Sequence, residues 1–242
     1  MNLSIFLPYF KWQINHHNNS SNTQILFSTV KSYLYGMLFI ISVLLNLFDK
    51  LFASIKQADY FLFQQINSHF TNSFLDTVLP FIRNSNFWVP LYLFLLVFIL
   101  INFGNKGWIW VAGLIVTVTL TDQVSSHLIK NIIQRPRPCS DFTLHFPVRL
   151  LLNNCSGGFS FTSSHATNHF GVAIFIVTTL QQFLGKWKWF FIAWAAIVSY
   201  AQVYVGVHYP FDILCGAILG CCLGYGTAKL FLFKFNNTLQ LL

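Results

Sequence analysis

Charged side chains are too scarce in this chain for a water-soluble protein. Only 8% of its 242 residues are charged and none is Glu, whereas soluble domains carry about 25% charged residues. Apolar residues make up 55% of the sequence, and many of them lie in runs close to the roughly 20 residues that a helix needs to cross a bilayer. The pattern predicts a polytopic membrane protein and excludes disordered, collagen-like and coiled-coil classes.

Six apolar segments are candidate membrane spans. They are predicted at about residues 33–48, 87–103, 108–130, 164–183, 187–207 and 211–233. The stretch 51–82 mixes apolar residues with Lys56, Asp59 and several amides, which is typical of an amphipathic segment at the membrane interface. We therefore predict an all-α membrane bundle of six transmembrane helices plus one interfacial amphipathic helix.

The predicted spans divide the chain into four regions. These are an N-terminal tail (1–32), the first span with the interfacial segment (33–86), a membrane core (87–233) and a C-terminal tail (234–242). With six spans, both termini lie on one side, and the loops after spans one, three and five lie on the other.

Polar residues that could take part in binding or catalysis form three clusters. All three lie on the side of the membrane opposite the termini. The first is Lys130, Arg135 and Arg137 with two prolines, the second is Ser163, Ser164 and His165, and the third is His208, Pro210 and Asp212. Lys supplies a point charge, and Arg supplies a planar fork that can bind two phosphate oxygens at once. A serine-capped helix start offers free backbone N–H groups to an anion. A carboxylate one turn after a histidine can fix the tautomer of its ring. Together these groups predict a phosphate site.

These clusters resemble the three-part signature of the type 2 phosphatidic acid phosphatases, integral-membrane lipid phosphatases related to vanadium haloperoxidases. Lys-x6-Arg-Pro is met by Lys130, Arg137 and Pro138; Pro-Ser-Gly-His appears as Thr162-Ser163-Ser164-His165; and Ser-Arg-x5-His-x3-Asp appears as Ala201-Gln202 followed by His208 and Asp212. The order matches, and the resemblance covers roughly residues 87–233.

The resemblance implies a role for each matching residue. Lys130, Arg137, Ser163 and Ser164 would bind the phosphoryl group. His208 would attack phosphorus and form a phosphohistidine, Asp212 would orient it, and His165 would protonate the leaving oxygen. Water would then release phosphate, with neither a metal nor another cofactor required.

Four positions depart from the family signature, and one of them is Ala201, where the family has Ser. Gln202 stands where the family has a phosphate-binding Arg, so a charge-assisted contact becomes a neutral one worth about 1–2 kcal/mol less. Arg135, or another nearby cation, is expected to compensate. Thr162 and Ser164 replace Pro and Gly, which changes the backbone before the fourth span.

Two cysteines lie in the loop between the first two clusters. If this loop is extracytoplasmic, Cys139 and Cys155 are expected to form a disulfide that holds the loop over the site. The alternative is a pair of free thiols.

The net charge of +8 and the distribution of basic residues bear on the partners of the protein and on its orientation in the membrane. No basic stretch is long enough for nucleic acid, so we expect a bilayer and a phosphorylated lipid as partners; the oligomeric state stays open. Seven of the 14 Lys and Arg residues fall on each side. If the four beside the 131–163 loop serve the site, the remainder places the termini in the cytoplasm.

The sequence thus predicts a bacterial inner-membrane lipid phosphatase whose site faces the periplasm or exterior. The resemblance implies as candidate substrates undecaprenyl diphosphate, phosphatidic acid, phosphatidylglycerol phosphate and lipid A phosphates. Two alternatives stay open: a non-catalytic lipid-phosphate binder, for which Gln202 argues, and a transferase that passes phosphate to another lipid.

Overall fold

The described part of the chain is helical throughout. The computed structural model describes the backbone of residues 20–235 and the side chains from residue 28. Within these residues, 82% are helical and no strand occurs. This confirms the all-α class. The predicted C-terminal tail beyond residue 235 and the first 19 residues lie outside the described residues.

The first helix is longer than the predicted first span. Helix α1 runs from Ser20 to Gln64, so it begins inside the predicted tail and continues into the predicted interfacial segment. No glycine or proline occurs between Gly36 and Pro80 to interrupt it. The rest of the 51–82 stretch forms a π-helical turn, Gln65–His69, and a separate helix α2, Ser73–Ile82.

By its contacts the chain divides into two units, Met1–Lys56 and Gln57–Leu242. In the first unit, every described side chain from Ser28 to Lys56 is exposed. The second unit holds the end of α1, helix α2 and all later helices.

The later helices follow the predicted segments closely. They are α3 (Val89–Phe103), α4 (Gly107–Asp122), α5 (Lys130–Ile133), α6 (Ser164–Thr179), α7 (Gln181–Leu184), α8 (Lys188–Tyr204) and α9 (Pro210–Phe235). A π-helical turn, Gln123–Ile129, connects α4 to α5. Three described helical stretches are long and apolar enough to cross a membrane: Ser28–His69, Ser85–Ser140 and Pro210–Phe235.

Helices α6 and α9 pack with their backbones close together because small residues line the contact. A Cβ atom on Gly220 would overlap the backbone carbonyl oxygen of Thr167, and one on Gly224 would overlap that of Gly171. Small residues at such spacing let helix backbones approach each other in a membrane. This contact sets the distance between the N-terminal ends of α6 and α9, where two of the predicted site clusters lie.

Gly220→Ala is expected to lower the thermal midpoint of the detergent-solubilised protein. The added methyl group has no room against Thr167, and such overpacking costs about 1–3 kcal/mol. Gly226→Ala on the same helix is the matched control, because nothing lies within 4 Å of its added Cβ. Alanine favours a helix by up to about 1 kcal/mol over glycine, so this control should be neutral or slightly stabilising. Equal midpoints for the two variants would refute the close packing.

Candidate active site

The loop before α9 is built to hold His208 in a buried position. The N–H groups of Val207 and His208 both donate to the carbonyl oxygen of Gln202, at 3.2 and 3.3 Å. Gly206 has a φ of +90° and passes so close to the Arg149 carbonyl that a Cβ would lie 2.7 Å from its oxygen. Only glycine adopts this backbone readily. The tight turn places the His208 side chain inside the protein with 2% of its surface exposed.

The two ring nitrogens of His208 face groups of opposite kind. Nε2 lies 3.1 Å from Nη1 of Arg137, and Nδ1 lies 3.6 Å from Oδ2 of Asp212. A guanidinium can only donate hydrogen bonds. Nε2 must therefore accept, which puts the proton of the neutral ring on Nδ1, toward the carboxylate. Nε2 therefore carries the lone pair of the ring, and in this structure that lone pair accepts from Arg137.

Burial keeps His208 neutral. Removal from water lowers the pKa of His208 to about 4; Asp212 opposes this shift, while Arg137 and Lys130 act in the same direction as burial. The imidazole therefore carries no proton on Nε2 at neutral pH, as a nucleophile requires.

Backbone carbonyls from two loops hold Arg137. Its guanidinium donates to the carbonyl oxygens of Gly157 (3.2 Å), Gly158 (3.3 Å) and Val207 (3.3 Å), and 7% of the residue is exposed. Lys130, at the start of α5, interacts electrostatically with both His165 and His208. The structure thus places Arg137 against His208, and Lys130 within electrostatic range of both His165 and His208.

Asp212 is held by the start of its own helix. It is the third residue of α9, and its Oδ2 accepts from the Tyr209 N–H at 2.9 Å, the reciprocal half of a capping box. Its Oδ1 accepts from Nη1 of Arg135 at 2.8 Å. Both oxygens are therefore fixed, and one of them faces His208.

Arg135 was expected to compensate for the cation that is missing at position 202, but its side chain lies in a different place. Its guanidinium bridges Asp59 (2.6 Å) and Asp212 (2.8 Å) and lies over the Tyr209 ring, 3.9 Å from the centroid. Two carboxylates and an aromatic face already satisfy this cation. Arg135 therefore supports Asp212 from behind instead of presenting a free charge in front of His208. Asp59, which sequence reasoning assigned only to an interfacial helix, belongs to this buried ion network.

The start of α6 contributes backbone amides more than hydroxyl groups. Ser163 is the N-cap: its Oγ accepts from the Ala166 N–H at 3.4 Å, and its own N–H donates to the Asp212 carbonyl at 3.2 Å. Among the described residues, the N–H groups of Ser164 and His165 have no hydrogen-bond acceptor. Free amides at a helix start are a favourable place for an anion. The side chain of Ser163 itself is fully buried.

A cavity of about 530 Å³ opens beside His165. Of the predicted site residues, Ser164 and His165 line it, and its apolar wall includes Val172 and Trp194. Ser164 also shares a hydrogen bond with Ser126 at 2.8 Å, and Ser126 donates to Asp122 at 3.1 Å. His165 therefore borders a pocket with apolar and polar walls, whereas His208 is not among the residues that line it.

Gln202 differs from its predicted role as a direct phosphate ligand. It is fully buried, its backbone oxygen holds the His208 loop, and its side-chain Oε1 accepts from Nε of Arg83 at 3.3 Å. Arg83 is one of the 14 basic residues, and the sequence analysis assigned it no role in the site. The missing cation at position 202 is the sequence feature that could have directed attention to another basic residue.

The Arg137 loop is attached at two further points. Cys139 and Cys155 form a disulfide across it. Asp141, two residues after Cys139, accepts hydrogen bonds from the hydroxyl groups of Tyr209 (2.7 Å) and Tyr60 (3.3 Å). The loop is thereby tied both to itself and to the residue that follows His208.

The chain is similar in sequence to known lipid phosphatases and in fold to a solved phosphatase structure. The chain is 35% identical to the lipid A 4'-phosphatase of Bacteroides thetaiotaomicron over 142 residues, 57% of this chain and 60% of that protein, so it spans less than two thirds of that relative's length. It is 27% identical to the undecaprenyl-diphosphatase of Sulfolobus acidocaldarius over 81% of this chain and 90% of that protein. The crystal structure of a phosphatidylglycerolphosphate phosphatase from Bacillus subtilis superposes with a TM-score of 0.57 and 25% identity, covering 75% of this chain and 88% of that one.

A family model decides the classification. The model of the PAP2 superfamily matches residues 108–236, which is slightly more than half of the chain and includes all three motifs. The relatives and the solved structure named above agree with it, and the resemblance inferred from the motifs is confirmed. This chain belongs to the PAP2 superfamily.

Proposed function

We propose that this protein is an integral-membrane lipid phosphatase that hydrolyses a phosphomonoester or diphosphate of a lipid through a phosphohistidine. The observation that carries the proposal is the setting of His208. Its Nε2 is the unprotonated nitrogen, it lies 3.1 Å from the Arg137 fork, and its Nδ1 faces the buried carboxylate of Asp212. A phosphorus atom attacked by Nε2 would lie directly beside cations that match its oxygens.

The proposed reaction has two steps. In the first, Nε2 of His208 forms a bond to phosphorus, the bond from phosphorus to the leaving oxygen breaks, and His165 gives that oxygen its proton. In the second, His165 takes a proton from water, the water oxygen attacks phosphorus, and the bond to Nε2 breaks to release inorganic phosphate. Lys130, Arg137 and the free amides of Ser164 and His165 would hold the phosphoryl oxygens through both steps. Asp212 would stabilise the imidazolium that forms.

The position of His165 supports its role as the acid. It lies close enough to His208 and Lys130 to interact with both electrostatically, and it lines the 530 Å³ cavity in which a leaving lipid alcohol would fit. In the proposed reaction His208 would act on the attacking side of the phosphoryl group and His165 on the leaving side.

We propose a six-span arrangement in the bacterial inner membrane, with the site at the periplasmic or outer surface. Helices α3, α4, α6, α8 and α9 correspond to predicted spans two to six, and α1 to the first. The Cys139–Cys155 disulfide supports an extracytoplasmic position for the site loop, because disulfides persist in oxidising compartments.

The activity is tested with purified protein and a panel of phosphorylated lipids. We expect metal-independent release of inorganic phosphate from at least one of undecaprenyl diphosphate, phosphatidic acid, phosphatidylglycerol phosphate and a lipid A phosphate. Release should persist in a chelator. Loss of release in the chelator would contradict the metal-free mechanism. Binding without release would indicate a lipid-phosphate binder instead, and transfer to a second lipid would indicate a phosphotransferase.

A further inference from the structure

One cation of the family signature is missing from its usual position, residue 202. Gln202 stands at the position that has an Arg in the family signature, and its side chain is fully buried. The neutral amide of Gln202 carries no charge, and its short side chain does not extend far from this buried position. Its Oε1 nevertheless accepts a hydrogen bond of 3.3 Å from Nε of Arg83. The position that lacks the cation is therefore in direct contact with another one.

Arg83 comes from outside the region that the family model covers. It follows the last residue of α2, whereas the match begins at residue 108. Arg83 lies within electrostatic range of Arg137, which would bind phosphate, and of His165, the proposed acid. The chain thus brings a third cation to the site on a separate helix.

Arg83 differs from the other arginines near the site in its partners. Arg135 is bound to Asp59 and Asp212, Arg149 is bound to Asp76, and Arg137 donates to three backbone carbonyls. Among the described residues no carboxylate lies within 4 Å of Arg83, and its Nη1 and Nη2 have no hydrogen-bond acceptor. With Nε donated to Gln202, the Nη1–Nη2 edge is the one left for a planar, two-oxygen contact.

We propose that Arg83 binds the phosphoryl group of the substrate in place of the missing motif arginine, and that Gln202 is the residue that positions it. This inference rests on the proposed function. The charge at the phosphoryl group is thereby kept, but it is moved from the α8 position 202 to the end of α2. Gln202 suits this arrangement because its neutral amide oxygen orients the guanidinium and leaves its positive charge intact. A carboxylate at this position would neutralise that charge.

The test compares Arg83→Gln with Arg83→Lys and with the double variant Arg83→Gln/Gln202→Arg. Arg83→Gln should lower kcat/KM about 100-fold, the scale for loss of one preorganised donor in an active site, and should weaken inhibition by inorganic phosphate at least tenfold. Arg83→Lys should retain intermediate activity. The double variant, which restores the family residue at 202, should recover at least tenfold over Arg83→Gln.

Further variants separate binding from folding and from general charge. Gln202→Leu removes only the acceptor for Arg83, and we expect a smaller loss than in Arg83→Gln, with weaker phosphate inhibition at an unchanged thermal midpoint. Lys186→Gln removes an exposed cation far along the chain, so it controls for attraction of an anionic substrate to a basic protein, and it should stay within twofold of the unmodified protein.

Two results would overturn the inference. One is a folded Arg83→Gln variant within threefold of the unmodified protein in both kcat/KM and phosphate inhibition. The other is a double variant no more active than Arg83→Gln, because the two positions would then not share a role. If the unmodified protein releases no phosphate from any lipid of the panel, the proposed function fails first, and this result is distinct from both.

Discussion

His208→Ala is expected to lower the rate of phosphate release by at least about 10⁴-fold, the scale on which loss of a nucleophile acts in enzymes that form a covalent intermediate. Arg137, Lys130 and Asp212 cannot replace Nε2, because the first two are cations and the third faces the other ring nitrogen. Attack by His165 instead would appear as residual turnover. The initial rate with the preferred lipid of the panel is the measurement, with unmodified protein prepared in parallel.

The His208→Ala result needs a control for folding, because the residue is fully buried. The thermal midpoint and the binding of inorganic phosphate provide it: the cations and the free amides of α6 remain, so phosphate should still bind. Turnover within tenfold of the unmodified protein would show that another group attacks phosphorus. Loss of phosphate binding together with a collapsed midpoint would call for His208→Asn, which keeps a polar side chain in the same space.

Asp212→Asn is expected to lower kcat by about 10³- to 10⁴-fold, whereas Asp59→Asn should lower it less than about tenfold. Both carboxylates bind the same guanidinium of Arg135, but Asp212 alone also faces His208. A neutral amide at 212 no longer stabilises the imidazolium, and its NH₂ group would meet either Arg135 or His208 with a donor.

Asp59→Asn is the matched control for this comparison. The new side chain keeps an oxygen that can accept from the Phe211 N–H, which now donates to Asp59 at 2.7 Å. The pair therefore separates weakened support for Arg135 from lost orientation of His208. Equal losses of kcat in the two variants would show that the ion network, and not the His208 contact, accounts for the effect.

Much of the architecture could be predicted because bilayer physics acts on each segment separately. The apolar runs that became α3, α4, α6, α8 and α9 carry their own helical signal. Their predicted bounds lie within a few residues of the observed ones when the π-helical turn Gln123–Ile129 is counted with α4. The first helix was predicted too short. Asp49, Lys50 and Lys56 reduce the local hydropathy, but they do not break a helix.

Residue type and spacing in the motifs indicate which site residues to expect together, whereas contacts between distant segments leave no such signal. Arg137 and Asp212 lie against His208, and Lys130 and His165 lie within electrostatic range of it, while the roles of these residues in phosphate chemistry stay predictions. The role of Arg135 depends on Asp59, which is 76 residues away in the chain, and that contact leaves no periodic or motif signal. Arg83 and Gln202 are likewise 119 residues apart.

Trapping the covalent intermediate tests most directly whether His208 attacks phosphorus. The protein is mixed with its preferred lipid, turnover is quenched with alkali, in which phosphohistidine is stable, and the peptides are analysed by mass spectrometry. We expect one phosphorylated histidine, His208. It should be absent from His208→Ala and should accumulate in His165→Ala, because the loss of His165 slows release from the intermediate. Phosphate on His165, or full turnover with no phosphorylated histidine at early time points, would contradict it.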